Sequence, residues 1–285
     1  MLEGGPPLRI VVAAIQMPSE LHGLSANLAR ADEGLRRAHE AGAEIAVLPE
    51  MFNTGYGHCP DYGPFGEGVD GPTLTLLRRR SKQWGMGIAA GFVERAGRHL
   101  YDALAFVNPE GDVHVYRKRN LVFWERSRFN PGREPMIVET RWGRIGLAIC
   151  ADMIYRQVWN GYRDRIDLAI IAAAWPDFAC RLTGRKHWLL GRVGPLAGEI
   201  PGRVARDLGI PVVFANQCGE TSTTVPLLGS RIADRFAGWS TICDGRHGFP
   251  VHAGVGAEVL PAPITIHSQR GIKSWRSTSL SVPAA

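Results

Sequence analysis

Most of the short motifs that mark a nucleotide enzyme, a metalloprotein or a secreted protein are missing from this chain. No G-x-S-x-G is present, which removes the usual α/β-hydrolase serine. No G-x-x-x-x-G-K-[ST] phosphate loop occurs. "GVGAEV" (254–259) opens like a dinucleotide fingerprint, but it lacks the third glycine and falls late among strand-like segments, so it reads as a turn. None of the nine histidines sits in an H-E-x-x-H pair, so each is better read as a surface or hydrogen-bonded residue than as a ligand. The five cysteines (Cys59, Cys150, Cys180, Cys218 and Cys243) are odd in number, widely spaced and without a C-x-x-C. That argues against zinc and thioredoxin-like sites. The longest strongly apolar run, "LAIIAAAW", is too short to span a bilayer. "MLEGGPPLRI" has no signal-peptide pattern. The expectation is a soluble, cytoplasmic, reduced protein with no membrane partner.

What is there suits a globular chain. Its 285 residues are 45% hydrophobic and 21% charged, enough for a sizeable core and unlike a disordered chain. The net charge of +6 comes mostly from scattered arginine: "RRR" at 78–80, "YRKR" at 116–119 and "RSR" at 126–128. These do not form the aromatic-interleaved basic stripe of a nucleic-acid binder, so no nucleic-acid partner is expected.

Hydrophobic periodicity predicts strands at 9–17, 43–50, 86–94, 143–150, 167–175 and 210–219, with a hairpin in 104–118 turning at "PEGD". Leu24, Leu28, Ala31, Leu35 and Ala38 recur on one helical face. A second helix is predicted at 73–85 and a partial one at 185–208, interrupted by Pro195 and Pro201. Short strands and turns follow from 229. Helices alternating with continuous apolar strands predict an α/β layered fold with mixed sheets. No repeat or linker-like break divides the chain, so one domain over 1–285 is the simplest reading.

Three of these segments end on reactive side chains. "AVLPE" ends on Glu50, "VHVYRK" on Lys118 and "GLAIC" on Cys150. Taken singly, each has a plainer reading: a solvated loop carboxylate after Pro49, a member of a basic surface run, and a small buried hydrophobe. Ligands of open α/β sheets sit beyond the carboxyl ends of strands. A thiol nucleophile, a carboxylate base and a cation are the parts that acyl transfer needs.

Four blocks in order make the chain resemble the nitrilase, or carbon–nitrogen hydrolase, superfamily. "AVLPEMFNTGY" (46–56) is similar to its glutamate block. "YRKRNLVFWERSRFNPG" (116–132) is similar to its lysine block, with the downstream E-x-x-x-F-x-P-G element. "GRIGLAICADM" (143–153) is similar to its cysteine block, and "AAAWP" (172–176) with "VVFANQCG" (212–219) to the strands that follow. The resemblance implies a four-layer α-β-β-α sandwich with two mixed β-sheets. It implies Cys150 as nucleophile, Glu50 as general base and Lys118 as oxyanion donor together with the Ala151 backbone N–H. Glu125 matches a second family glutamate that positions substrate or assists proton transfer. It also implies a homodimer or higher homo-oligomer, with the C-terminal segment from about 265 extended or at the oligomer interface. The chemistry requires no metal or organic cofactor, and a nearby lysine is expected to favour the thiolate. The remaining four cysteines read as structural thiols.

Asp152, two residues after the cysteine, resembles amidase and carbamoyl-amidase members more than nitrilases, and it also suits a helix N-terminus. A small linear amide is therefore the expected substrate. An N-carbamoyl amino acid or amine comes next and a nitrile third; a non-catalytic amide- or partner-binding member is the reading from another class. Tyr56, Trp124 and Trp175 are candidate pocket walls, with ordinary core aromatics as the alternative. Arg126, Arg128, Arg156 and Arg181 are candidates for meeting a substrate carboxylate. The chain departs from the family pattern at Arg156-Gln157 and at Asp207-Leu208.

Overall fold

The computed structural model describes residues 6–57, 61–177, 193–224, 231–245 and 250–267. One six-stranded sheet contains β1 (Leu8–Gln16), β2 (Ile45–Val47), β3 (Gly87–Ala96), β4 (His99–Val107), β5 (Val113–Arg117) and β14 (Glu258–Ile266), in the order β14-β1-β2-β3-β4-β5. The other contains β6 (Ile137–Thr140), β7 (Gly143–Ile149), β8 (Leu168–Ala173), β9 (Val212–Asn216), β12 (Thr241–Cys243) and β13 (Val251–His252), in the order β13-β12-β9-β8-β7-β6. A separate hairpin pairs β10 (Glu220–Thr224) with β11 (Arg231–Arg235). Each large sheet has a parallel centre, β1-β2-β3 and β7-β8-β9, with antiparallel strands outside it. Both sheets are thus mixed, as expected.

The period of two in β1 explains the layering. Ile10, Val12 and Ala14 join Ile145, Leu147 and Ile149 in one core cluster between the sheets. Ala13, Ile15 and Met17 point the other way, into a second cluster with Leu35 and Ala38 of α1 (Leu24–Glu40) and Leu74 and Leu77 of α2 (Pro72–Trp84). On the far side of the second sheet, Val158 and Trp159 of α3 (Arg156–Asn160) and Ala197, Val204 and Ala205 of α4 (Val193–Leu208) join the first cluster. Helices therefore cover the outer face of each sheet, giving four layers. Pro261 and Pro263 lie on the edge strand β14 and face outward, while Leu260, Ala262 and Ile264 are buried. That is where a strand tolerates residues without an N–H.

Three details differ from the sequence reading. The strand expected over 43–50 is only Ile45–Val47, because Pro49 and the turn that follows lift Glu50 out of the ladder. α4 runs through both Pro195 and Pro201. Pro195 stands in the first turn, where its missing N–H is harmless, and burial of the Ala197–Val204–Ala205 face outweighs the interior cost of Pro201, about 3 kcal/mol. β6 was not anticipated; it is short and pairs only with β7. Residues 268–285, which hold most of the segment expected at an oligomer interface, lie outside the described residues, as do Cys59, Cys180 and Arg181. Among the described residues no helix is long and apolar enough to cross a membrane.

Candidate active site

Glu50 is delivered just past β2. The segment around it is tied to β3: Leu48 N–H donates to Ala89 O (2.8 Å) and Phe52 N–H to Gly91 O (3.0 Å). Gly91 makes this approach possible, since a Cβ there would fall 2.5 Å from Glu50 Cα and 2.7 Å from Pro49 O. The Gln217 side chain, just beyond β9, donates from Nε2 to Glu50 O (2.8 Å). Lys118 extends β5, its N–H bonded to Asp102 O on β4 at 2.9 Å. Glu125 belongs to a single 3-10 turn, Phe123–Ser127. Its Oε2 accepts the Val122 N–H (2.8 Å), so the carboxylate is fixed by its own turn.

Cys150 opens a second 3-10 turn, Cys150–Ile154, directly after β7. Its φ of +45° is in the left-handed region, uncommon for a residue with a side chain and a recurrent feature of functional positions. Asp152 holds this turn. Its Oδ2 accepts from Ile149 N–H (3.2 Å) and Tyr116 OH (2.8 Å), and its Oδ1 from Asn120 N–H (2.9 Å) and Asn120 Nδ2 (2.7 Å). Asp152 thus fastens the cysteine turn to β5 and the loop after Lys118. Ala151, the residue after Cys150, is buried.

These pieces converge on one ion cluster. Lys118 Nζ lies 2.6 Å from Glu50 Oε1, 2.6 Å from Glu125 Oε1 and 3.2 Å from Asp102 Oδ2, and all four side chains are fully buried. Glu50 Oε2 also accepts the Ala174 N–H (2.6 Å) from the end of β8. Tyr56 OH donates to Glu125 Oε1 (2.7 Å). Burial opposes the charge on Lys118, but Glu125, Glu50 and Asp102 overcome it and hold the ammonium protonated well above its ordinary range. Burial pushes the Glu125 acid upward, against the pull of Lys118. The Cys150 thiol is raised well above its usual value by burial and then by the Glu50 charge; Lys118 and the Ala174 N–H oppose this without prevailing. Lys118 does favour the thiolate, as expected, but desolvation and the Glu50 charge outweigh one cation already shared among carboxylates.

The structure brings Glu50, Lys118 and Glu125 into direct contact and sets Cys150 close enough to feel their charges. Tyr56 and Trp124 adjoin the cluster, their rings 5.0 Å apart. Trp175 follows β8, its N–H bonded to Asn216 Oδ1 (2.7 Å), and it packs partly buried against the inter-sheet core. Arg126 donates to Leu121 O (2.9 Å), Arg156 and Gln157 are exposed on α3, and Asp207 is exposed on α4. Sequence reasoning missed Asp102, Tyr116, Asn120 and Gln217. Only Asp102 carried a signal, an acid inside the apolar run "YDALAFV". Glu50, Asp102 and Glu125 offer carboxylate oxygens within 4.8 Å of one another, a set that could hold a metal ion; in this structure Lys118 Nζ sits among them and supplies the positive charge.

The model of the carbon-nitrogen hydrolase family matches residues 11–237. The chain belongs to this family. An N-carbamoylputrescine amidase from Arabidopsis thaliana is 30% identical over 227 residues, covering 74% of this chain and 72% of that protein. An omega-amidase NIT2 from Bos taurus is 31% identical over 179 residues, and a nitrilase from Pyrococcus abyssi 30% identical over 150. These matches cover 58% and 51% of this chain, and the chain spans only 63% and 57% of those two relatives. A carbon-nitrogen hydrolase superfamily protein from Xanthomonas campestris, with an arsenic adduct in its active site, superposes with a TM-score of 0.73 at 21% identity, over 90% of this chain and 91% of that one. An amidase mutant from Nesterenkonia sp. AN1, with acrylamide added at its active-site cysteine, gives a TM-score of 0.72 at 21% identity, over 88% and 92%. These likenesses establish the nitrilase-type sandwich expected from the sequence.

Proposed function

We propose that this carbon-nitrogen hydrolase cleaves a small linear amide to a carboxylate and ammonia through a thioester on Cys150. The observation that carries this reading is a buried thiol on a left-handed strand-end turn, within electrostatic reach of a buried Glu50–Lys118–Glu125 cluster. The thiol rests protonated, so attack needs a base. Glu50 takes the thiol proton as Sγ bonds to the carbonyl carbon. Negative charge then gathers on the carbonyl oxygen, where the Lys118 ammonium and the Ala151 N–H are the assigned donors. As the C–N bond breaks, Glu50 returns its proton to the nitrogen and ammonia leaves. Water, deprotonated by Glu50, next attacks the thioester; the carboxylate departs and the thiol regains its proton. Glu125 keeps Lys118 charged and in place, with Tyr56 as its second anchor. Tyr56 and Trp124 form a wall beside the cluster, and Trp175 is assigned to the same pocket.

An N-carbamoyl amino acid or amine, releasing carbon dioxide as well as ammonia, is the second reading, favoured by similarity to the Arabidopsis amidase; a nitrile is the third. Asp152 discriminates less than its position suggested, because all of its hydrogen-bond partners are groups of the scaffold. We also propose a cytoplasmic location, tested by fractionation of the cells that make the protein, and a homodimer or larger homo-oligomer, tested by sedimentation of the purified protein.

The decisive experiment is ammonia release from a panel of amides, carbamoyl amino acids and nitriles, with Cys150→Ala as control. Turnover confined to the native cysteine on the amides is expected. Wild-type rates from folded Cys150→Ala would eliminate the assigned nucleophile. Silence across the panel, together with no labelling of Cys150 by a thiol-directed electrophile, would favour the non-catalytic reading.

A further inference from the structure

Lys118 has three N–H donors and three carboxyl neighbours, but the three are not equivalent. Glu50 accepts from Lys118 Nζ and the Ala174 N–H; Glu125 accepts from Lys118 Nζ, Tyr56 OH and the Val122 N–H. Asp102 Oδ2 stands 3.2 Å from Lys118 Nζ, yet neither Asp102 oxygen has an aligned hydrogen-bond donor, and the side chain is fully buried. An ionised carboxylate survives burial only when donors and opposite charge compensate it. One ammonium, already bonded to two carboxylates, leaves a third one uncompensated. The first proton that the cluster takes up therefore belongs on Asp102.

We propose that Asp102 is a positioning residue of the catalytic centre: a neutral carboxylic acid packed beside Lys118, which leaves the third ammonium N–H available to the substrate oxygen instead of locking it in another ion pair. The proposal rests on the reading of Lys118 as oxyanion donor. The charged or titratable groups that face Asp102 are Glu50 beyond β2, Lys118 at the end of β5 and Glu125 on its 3-10 turn; β3 opposes it with Val93. Burial, and then the Glu50 charge, push its acid in the same direction. Ionisation of Asp102 would add a negative charge beside the forming oxyanion and a stronger competitor for the lysine. Activity should accordingly fall as pH rises through that titration.

Infrared difference spectra of wild type against Asp102→Asn at neutral pH test this. The expected result is a C=O stretch of a protonated carboxylic acid present in wild type and lost in the variant. The alkaline limb of kcat/KM should also move to higher pH in Asp102→Asn, a change that a purely structural role would not produce. A difference spectrum holding only carboxylate bands overturns the proposal. So does a fall of about one pH unit in the midpoint for alkylation of Cys150, the tenfold change expected if the substitution removed a full negative charge. Should Asp102→Asn not fold, the difference spectrum of wild type against Glu125→Gln decides, because burial raises the Glu125 acid as well: a protonated-carboxyl band retained in that variant supports the proposal, and its loss assigns the proton to Glu125 and refutes it. If wild type turns over but shows no such band, Asp102 falls alone. If folded wild type hydrolyses nothing on the panel, the role toward substrate falls together with the hydrolase reading.

Discussion

Replacing Lys118 with methionine tests the cluster most severely, because the substitution keeps the bulk of the side chain and removes its charge. Lys118 makes two 2.6 Å contacts to buried carboxylates and a 3.2 Å approach to a third. At an effective dielectric of about 20, each short contact has a gross Coulomb energy of roughly 6 kcal/mol. The net loss is smaller, because the orphaned carboxyls respond by binding protons. Breaking a buried pair from one side typically costs about 3–5 kcal/mol, and that is the destabilisation expected near neutral pH. Its pH dependence is the sharper signature. Asp102 and Glu125 already have raised pKa values in the fold, and Lys118 lowers both. Without it both rise further. An acid raised by folding makes the native state bind more protons than the unfolded one, so stability falls as pH climbs from the unfolded carboxylate range toward the folded value. Each additional native proton steepens that fall by about 1.4 kcal/mol per pH unit. Urea denaturation of wild type and Lys118→Met across acid to neutral pH should show a gap that is smallest in acid and widens with pH. A gap that is constant, or that closes as pH rises, would refute the view that Lys118 neutralises these carboxyls. Turnover on the best amide should fall about 10²–10³-fold, the usual cost of one oxyanion donor.

Glu50→Gln should separate two properties of the thiol. Amide turnover should drop about 10²–10⁴-fold with loss of the base, while simple alkylation of Cys150 at neutral pH should quicken, because the Glu50 charge helps to hold the thiol protonated; parallel losses in both assays would contradict this. Gly91→Ala places a methyl 2.5 Å from Glu50 Cα, 2.7 Å from Pro49 O and 2.8 Å from Met51 N. Overpacking of this kind costs about 1–3 kcal/mol, and the displaced Glu50 should lower kcat far more than thermal stability suggests; full activity would show that the Glu50 segment yields freely. Asp152→Ala strands buried donors from Tyr116 and Ile149 and half-buried ones from Asn120. At about 1–3 kcal/mol per abandoned buried group, partly relieved by relaxation, a loss of several kcal/mol is expected by denaturation; a change under ~1 kcal/mol would show that these donors find other partners.

The layered fold was legible because it rests on local regularities. The period of two in β1 and β7, the helical faces of α1 and α2, and the turn residues at "PEGD" are each set by neighbours in the chain. Glu50, Lys118 and Cys150 were legible because all three stand where an apolar strand pattern stops. Other features depended on approach between distant segments, which no local pattern encodes. Asp102 is one acid in an apolar strand until β5 carries Lys118 alongside it. Asp152 read as a helix-terminal residue, yet Tyr116 and Asn120 arrive to make it a tie between two loops. Whether Cys150 rests as thiol or thiolate was likewise undecided by the sequence, which offered a lysine that favours the thiolate and a glutamate that can take the thiol proton. The folded site buries the sulfur, places a carboxylate nearby and shares that lysine among three acids, and desolvation then sets the protonation state.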